Sequence, residues 1–511
     1  MSLQRVLRLL LLVPLCAAGL YAARRSTQPS KVAAAPTPAP RAPASVAKGA
    51  TTLPPAAPPA QALAPPAEVA FVAIGGGATP DSTEVSLEQD LALAEQALPG
   101  PGVSLFAGGQ DSQSVRVLDD APVADELLVR LGELFQPRVD HRSRYRAPSL
   151  HAAAASLQAV EAQLVAAFSR GSAPLLVYVA AHGQQGEHAR DNSVVLWGGQ
   201  GLSVSRLAEL HEAHPRPLRV ISASCYSGGF AELAFAHADE AAGPARAPRC
   251  GLFAGTWDRE TSGCDPDPDR RKQEAYSLHL LQALRGRDRD GAVLRGGELD
   301  LDADGRVSLL EAHARATIAA ESIDVPTTTS ERYLRAVQHR KAASDPRLLP
   351  EMAAVVERLG ARLGLRDERA ARERLQQVSA RLRELEERAD RADDQADASF
   401  GELSARLLGR WPALGDAYHP DFAATLARDR HEIERALDDW PEAQRHAGDL
   451  REQEEQEGRV ERVEVEEALL TRLLRAYETL AYAAALRARG GPEWAYYKRL
   501  LACERTVPGS P

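Results

Sequence analysis

The chain reads as an α/β protein: a mainly parallel sheet flanked by helices, followed by an α-helical C-terminal region. Three observations predict this. Between residues 67 and 344, short apolar runs ending in glycine or other small residues alternate with helical segments. Strands that are apolar throughout belong in sheets covered on both faces. From residue 345 strand signals vanish, and apolar residues recur three and four apart. At 511 residues with 44% hydrophobic content, the chain is long enough for two or three domains with a real core. The net charge of −10 argues against nucleic acid as the main partner. Only five lysines stand among the 61 basic residues, an arginine bias that fits a GC-rich bacterial genome.

The first residues read as targeting. Arg5 and Arg8 precede an apolar run over 9–23, and Arg24 and Arg25 close it. The run suits a signal peptide or a membrane anchor over 1–25. Residues 26–66 are Ala/Pro-rich, unable to bury a core and inclined to extended conformations. Together they predict a protein that is exported, periplasmic or anchored in an inner membrane, with membrane contact only through the N-terminal segment.

The elements follow in order. "AEVAFVAIGGG" (67–77) is a buried strand, 86–98 a helix, and "GVSLFAGG" a second strand. "VADELLVRLGELF" and "LHAAAASLQAVEAQLVAAF" are helices, and "APLLVYVAAHG" (173–183) is a third strand. "SVVLWGG" either extends the sheet or forms a hairpin. "SVSRLAELHEAH" is a helix, then comes the strand "PLRVISASC", a helix reaching Phe235, and the strand "CGLFAGT".

Two strands end in reactive side chains, His182 and Cys225. In a parallel sheet both emerge at one edge, where open α/β sheets keep their ligands. A thiolate is a nucleophile and a nearby imidazole moves its proton. Small neighbours, among them Gly183, Ser224 and Gly228, leave room for a substrate backbone and for N–H groups facing an oxyanion. The histidine precedes the cysteine by 43 residues, which excludes the papain order. A serine rival also exists: "CYSGG" approximates the G-x-S-x-G elbow of α/β-hydrolases with Ser227 as nucleophile, but Cys225 stands where a glycine belongs.

The segments "VYVAAHG", "VISASCYSGG" and "GLFAGTWDRETSGCD…EAYSLHLLQAL" resemble the caspase–hemoglobinase superfamily of cysteine peptidases, which includes caspases, metacaspases, legumains and gingipains. The resemblance covers roughly residues 68–334, and "CYSGG" matches the Cys-x-Ser-Gly of metacaspases. It implies a cysteine endopeptidase acting on protein or peptide substrates. Cys225 would be its nucleophile, His182 its general acid/base, and the backbone N–H groups of Gly183 and Cys225 its oxyanion site. Family members carry an acidic residue or Gln two positions before the cysteine; here Ala223 stands there. Asp258 and Glu260 are the candidates to charge the substrate pocket instead. A catalytically inactive scaffold on the same fold is the alternative.

"DLDADGRVSLLE" (300–311) fits the twelve-residue EF-hand loop. Asp300, Asp302, Asp304, the Arg306 carbonyl, Ser308 and Glu311 would hold Ca2+, with Gly305 making the turn. No Cys/His cluster shows zinc spacing along the sequence. Cys250 and Cys264 either pair or stay free, and Cys503 reads as a core residue of a C-terminal helix. Thr328 and Glu331 form a capping box that starts a helix. Leu375, Val378, Leu382, Leu385, Ala389 and Ala392 form an a/d seam against which a helix over 463–485 can pack. Residues 67–344 are thus expected to form the peptidase domain. Residues 345–511 are expected to form a helical bundle or coiled coil, open to a helical partner or to self-association.

Overall fold

The computed structural model describes residues 68–119, 125–136 and 142–508. The targeting segment and the Ala/Pro-rich linker expected before residue 67 lie outside them. No helix among the described residues is long and apolar enough to cross a membrane.

The central sheet has six strands: β1 (Phe71–Gly76), β2 (Gly102–Phe106), β5 (Leu175–Ala181), β9 (Leu218–Ser222), β10 (Arg249–Phe253) and β11 (Thr327–Thr328). Their spatial order is β2-β1-β5-β9-β10-β11. All neighbours are parallel except β11, which runs antiparallel to β10. β1 and β5 are buried at every residue, as their unbroken apolar runs require. Alternation then divides the core. Ala73, Tyr178, Ala180, Ile221 and Leu252 face one layer of helices. Val72, Ile74, Val177, Val179 and Val220 face the other. The first layer includes α1 (Val85–Ala97), and the second includes α3 (Leu157–Ser169) and α4 (Val204–Ala213). The remaining helix before residue 150, α2 (Glu126–Phe135), stands apart from both.

"SVVLWGG" does not extend this sheet. It belongs to a small antiparallel one of β6 (Gly183–Gln184), β7 (Ser193–Val195) and β8 (Gly201–Ser203). A further antiparallel pair joins β3 (Val115–Leu118) to β4 (Ser143–Arg146). The helix expected after Cys225 is a 3-10 helix, Ser227–Ala234. The capping box forms as read: Thr328 Oγ accepts the Glu331 N–H at 3.2 Å and opens α8 (Thr329–Val337). Ahead of it come α5 (Tyr276–Leu284), the short α6 (Gly296–Leu299) and α7 (Leu309–Ala319).

Beyond residue 345 lie α9 (Pro350–Leu363), α10 (Glu368–Arg410), α11 (Phe422–Asp439), α12 (Pro441–Arg489) and α13 (Gly491–Glu504). The a/d seam packs within the chain: Val378 and Leu385 of α10 bury against Val463 and Leu470 of α12. At the far end α2 docks through Leu127, Leu131 and Leu134 beside Leu403, Leu407 and Trp411. The helices are not a separable appendage, because Leu473, Leu480 and Tyr497 share one core with Tyr178 and Leu252 of the sheet. Arg472, fully buried on α12, donates to the carbonyls of Ala320 (2.7 Å), Ser322 (2.6 Å) and Asp324 (2.5 Å). Cys503 is not a lone core thiol. It forms a disulfide with Cys250 of β10, 253 residues away, so the expected Cys250–Cys264 option is replaced and Cys264 stays free. A cross-link over so long a loop contributes on the order of 2–5 kcal/mol by restricting the unfolded chain.

Glu504 closes this union. Its buried carboxylate accepts Ser330 N–H at 2.7 Å and Ser330 O–H at 2.5 Å. Burial lifts its pKa from 4.5 to about 8, against the lowering effect of the Ser330 hydrogen bonds. The folded state therefore keeps a proton that the unfolded chain releases between those values. Stability falls as pH rises through that window and levels off above it. Glu504→Gln removes the slope. Denaturant unfolding should find the variant close to wild type near pH 4.5, and more stable near pH 8.5 by on the order of 2–4 kcal/mol.

Candidate functional site

The pairing of β5 with β9 sets the site. Val179 lies opposite Ser222, and the Ala223 N–H continues the ladder onto the Val179 carbonyl at 2.9 Å. His182 and Cys225 each follow three residues beyond that matched pair, so they leave the sheet at one level of its C-terminal edge. Gly183 makes the approach possible, since a Cβ there would stand 1.9 Å from the Cys225 carbonyl oxygen. The chain turns sharply after the cysteine: Tyr226 has φ +58°, a left-handed conformation that is costly for a bulky residue. Its N–H donates to the Arg259 carbonyl at 2.8 Å.

His182 is oriented from behind. Nε2 lies 2.9 Å from the Ser82 carbonyl and 3.1 Å from Glu84 Oε2. A carbonyl only accepts, so Nε2 carries the hydrogen and Nδ1 presents its lone pair. Nδ1 faces Cys264 Sγ at 3.6 Å. Glu84 is buried and pairs with Arg116 at 2.8 Å. Burial pushes its pKa up, but the His182 hydrogen bond and the charge of Arg116 outweigh this and hold it low. Cys225 Sγ accepts the Thr261 N–H at 3.3 Å. Burial, followed by the neighbouring Cys264, pushes the Cys225 thiol up to about 12, so at rest it holds its proton.

Cys225 and Cys264 line one narrow cavity of about 10 Å³ together with Ala223, Asp90, Thr261 and Ser277, roughly the room of a single water. Asp90, on α1, accepts from Ser277 and pairs with Arg270 of the chain's own downstream segment at 2.6 Å.

The expected pocket residues divide. Ala223 lines the cavity, whereas Asp258 and Glu260 do not. Asp258 accepts from Thr256 Oγ at 2.7 Å and Glu260 from the Tyr226 hydroxyl at 2.7 Å. The carboxylate that lines the cavity with Cys225 is Asp90, which sequence reasoning missed because it sits inside a helix. Glu84 was missed for a similar reason: nothing in a lone glutamate before a helix signals its partner almost a hundred residues on. Cys264 gave a signal, and of its two readings the free thiol is the one found. Ser227 is buried and accepts the Gly255 N–H at 3.3 Å, which does not suit an exposed nucleophile.

In the acidic loop, carboxylate oxygens of Asp300, Asp302 and Asp304 lie within 4.8 Å of one another. Gly305 turns with φ +85° and its N–H donates to Asp300 Oδ2 at 2.9 Å. Those three carboxylates suit a hard cation. Glu311 stands differently from expectation: it accepts the N–H groups of Leu301 (2.7 Å) and Ser308 (2.8 Å). Ser308 Oγ in turn accepts the Glu311 N–H at 3.2 Å, so both side chains serve as the cap of α7.

Comparison with protein-family models, with curated proteins and with solved structures finds no match to this chain in any of the three.

Proposed function

We propose that the protein is a cysteine endopeptidase of caspase–hemoglobinase type, with Cys225 as nucleophile and His182 as general acid/base. The observation that carries this reading is the shared level of His182 and Cys225 at the sheet edge, with Gly183 packed on the cysteine's backbone. The strand order, with one antiparallel edge strand, supports the fold assignment. His182 Nδ1 takes the Cys225 thiol proton as sulfur attacks the scissile carbonyl carbon. The oxyanion is held by the N–H groups of Gly183 and Cys225. The imidazolium gives its proton to the leaving amine, and water then hydrolyses the thioester. Ser82 and Glu84 keep the imidazole in the tautomer this requires. The high thiol pKa means the ion pair forms during reaction rather than before it. The segment over 261–270 moves aside to admit substrate, and Asp90, relieved of Arg270, receives a basic side chain. The Cys250–Cys503 disulfide supports an oxidising compartment and hence export. Calcium at Asp300, Asp302 and Asp304 would neutralise three converging carboxylates and steady α7.

An acyloxymethyl-ketone probe carrying arginine should label the wild type and Ser227→Ala but not Cys225→Ala. Absence of labelling in every case, with or without calcium, would favour the inactive scaffold. In a peptide-library digest, cleavage should follow arginine or lysine, and Asp90→Asn should lower kcat/KM for these by at least tenfold. Unchanged preference in that variant removes Asp90 from the pocket. Calcium should raise the melting temperature of wild type but not of Asp302→Ala with Asp304→Ala, the gain being about 2.7 kcal/mol at a hundredfold excess over Kd. A melt indifferent to calcium reduces the loop to a helix cap.

A further inference from the structure

We propose that Tyr178 is a specificity-determining residue at the floor of the cavity, where its hydroxyl selects an arginine side chain over a lysine. The ligand class is a guanidinium; its place beside a scissile bond rests on the peptidase reading.

Tyr178 lies on β5 and shares a face of that strand with Ala180, which lines the cavity. The side chain is wholly buried, and its hydroxyl has no hydrogen-bond partner among the described residues. An unpaired buried hydroxyl is costly and calls for a partner. The groups around it are those of the cavity. The charges of Asp90 and Arg270 both reach it. Ser277 stands near enough to act on it, but the Ser277 O–H is given to Asp90 Oδ2. Burial, and then the Asp90 charge, raise the Tyr178 pKa well above the usual phenol value. The hydroxyl is therefore neutral and offers both a donor and an acceptor.

The chain itself shows a guanidinium on Asp90. Arg270 Nη2 donates to Asp90 Oδ1 at 2.6 Å, while Nη1 is held by Gln273 Oε1 at 2.7 Å. Ala180 and Ala223 add only methyl groups to the cavity wall, and Leu87 of α1 is apolar. On the walls given by the sheet, α1 and α5, polar readout of an entering side chain thus falls to Asp90, Ser277 and Tyr178. A guanidinium carries five N–H donors in a rigid plane, so it meets Asp90 and the Tyr178 oxygen together. A lysine ammonium is a compact charge that pairs with Asp90 and leaves Tyr178 unpaired. A site built to hydrogen-bond one ligand rejects another that leaves a buried polar group unmet.

The first test uses the full chain and peptides that differ only in arginine or lysine before the scissile bond. Wild type should prefer arginine at least tenfold in kcat/KM. Tyr178→Phe should lower that ratio at least tenfold, mostly by raising KM for the arginine peptide. The second test needs no turnover. Arg270→Ala frees Asp90 Oδ1, and n-propylguanidine should then raise the melting temperature more than n-butylamine does. Adding Tyr178→Phe should bring the propylguanidine shift down to the butylamine value, and adding Asp90→Asn should abolish both. A ratio that Tyr178→Phe leaves unchanged, or equal shifts by the two ligands while Tyr178 is present, overturns the proposal. Absence of cleavage of any peptide, with propylguanidine still favoured through Tyr178, sinks the peptidase and leaves the guanidinium site.

Discussion

The parallel pairing of β5 with β9 is the constraint on which the rest depends. A parallel pair needs a covered crossover, and the crossover here carries the small β6–β8 sheet and α4. It also fixes which residues end together. A slip of one residue would turn Tyr178 and Ile221 away from the layer they fill and carry His182 out of level with Cys225. The close contact at Gly183 locks the same register from beyond the strand ends, because only a glycine lets the two backbones meet there.

A second constraint follows from covering the edge where those strands end. The loop carrying Thr261 to Cys264 crosses that edge, and its backbone is held by buried charge. Asp324 accepts the N–H groups of Ser262 at 2.7 Å and Tyr276 at 2.9 Å. Arg472 of α12 in turn holds the turn bearing Asp324 through its carbonyls. Arg259 of the same loop makes a two-pronged pair with Glu467 of α12, at 2.9 and 3.1 Å. Arginine suits these places because its planar fork satisfies several carbonyls at once without losing its charge. The helical region therefore braces the loop that lines the cavity.

Much of the fold was legible because its signals are local. Unbroken apolar strands, the Thr328 cap and the α10 seam each follow from residues within one or two turns of one another. His182 and Cys225 were legible because a strand end is a local feature and parallel topology does the rest. What escaped was relational. Asp90 and Glu84 look like any acidic residue in or before a helix until the fold sets Glu84 against His182 and Asp90 in the cavity that Cys225 lines. The disulfide escaped because β10 and α13 meet only after 253 intervening residues have packed. Glu311 fits both a metal loop and a helix cap by type and position, and backbone N–H groups took its carboxylate.

The same closure explains why the cysteine is held as a thiol. A nucleophile exposed beside a protonated imidazole would ionise readily. Cys225 instead sits in a cavity too small for a substrate, with a second sulfur as its neighbour and the Thr261 N–H as its main compensation. The second sulfur and the Thr261 N–H come from residues 261–264, and both change if that loop shifts. Water would then replace Cys264 as the donor to Nδ1, and the burial that raises the thiol would fall. The residues that hold that loop, Asp324, Arg472 and the Arg259–Glu467 pair, lie outside the cavity itself.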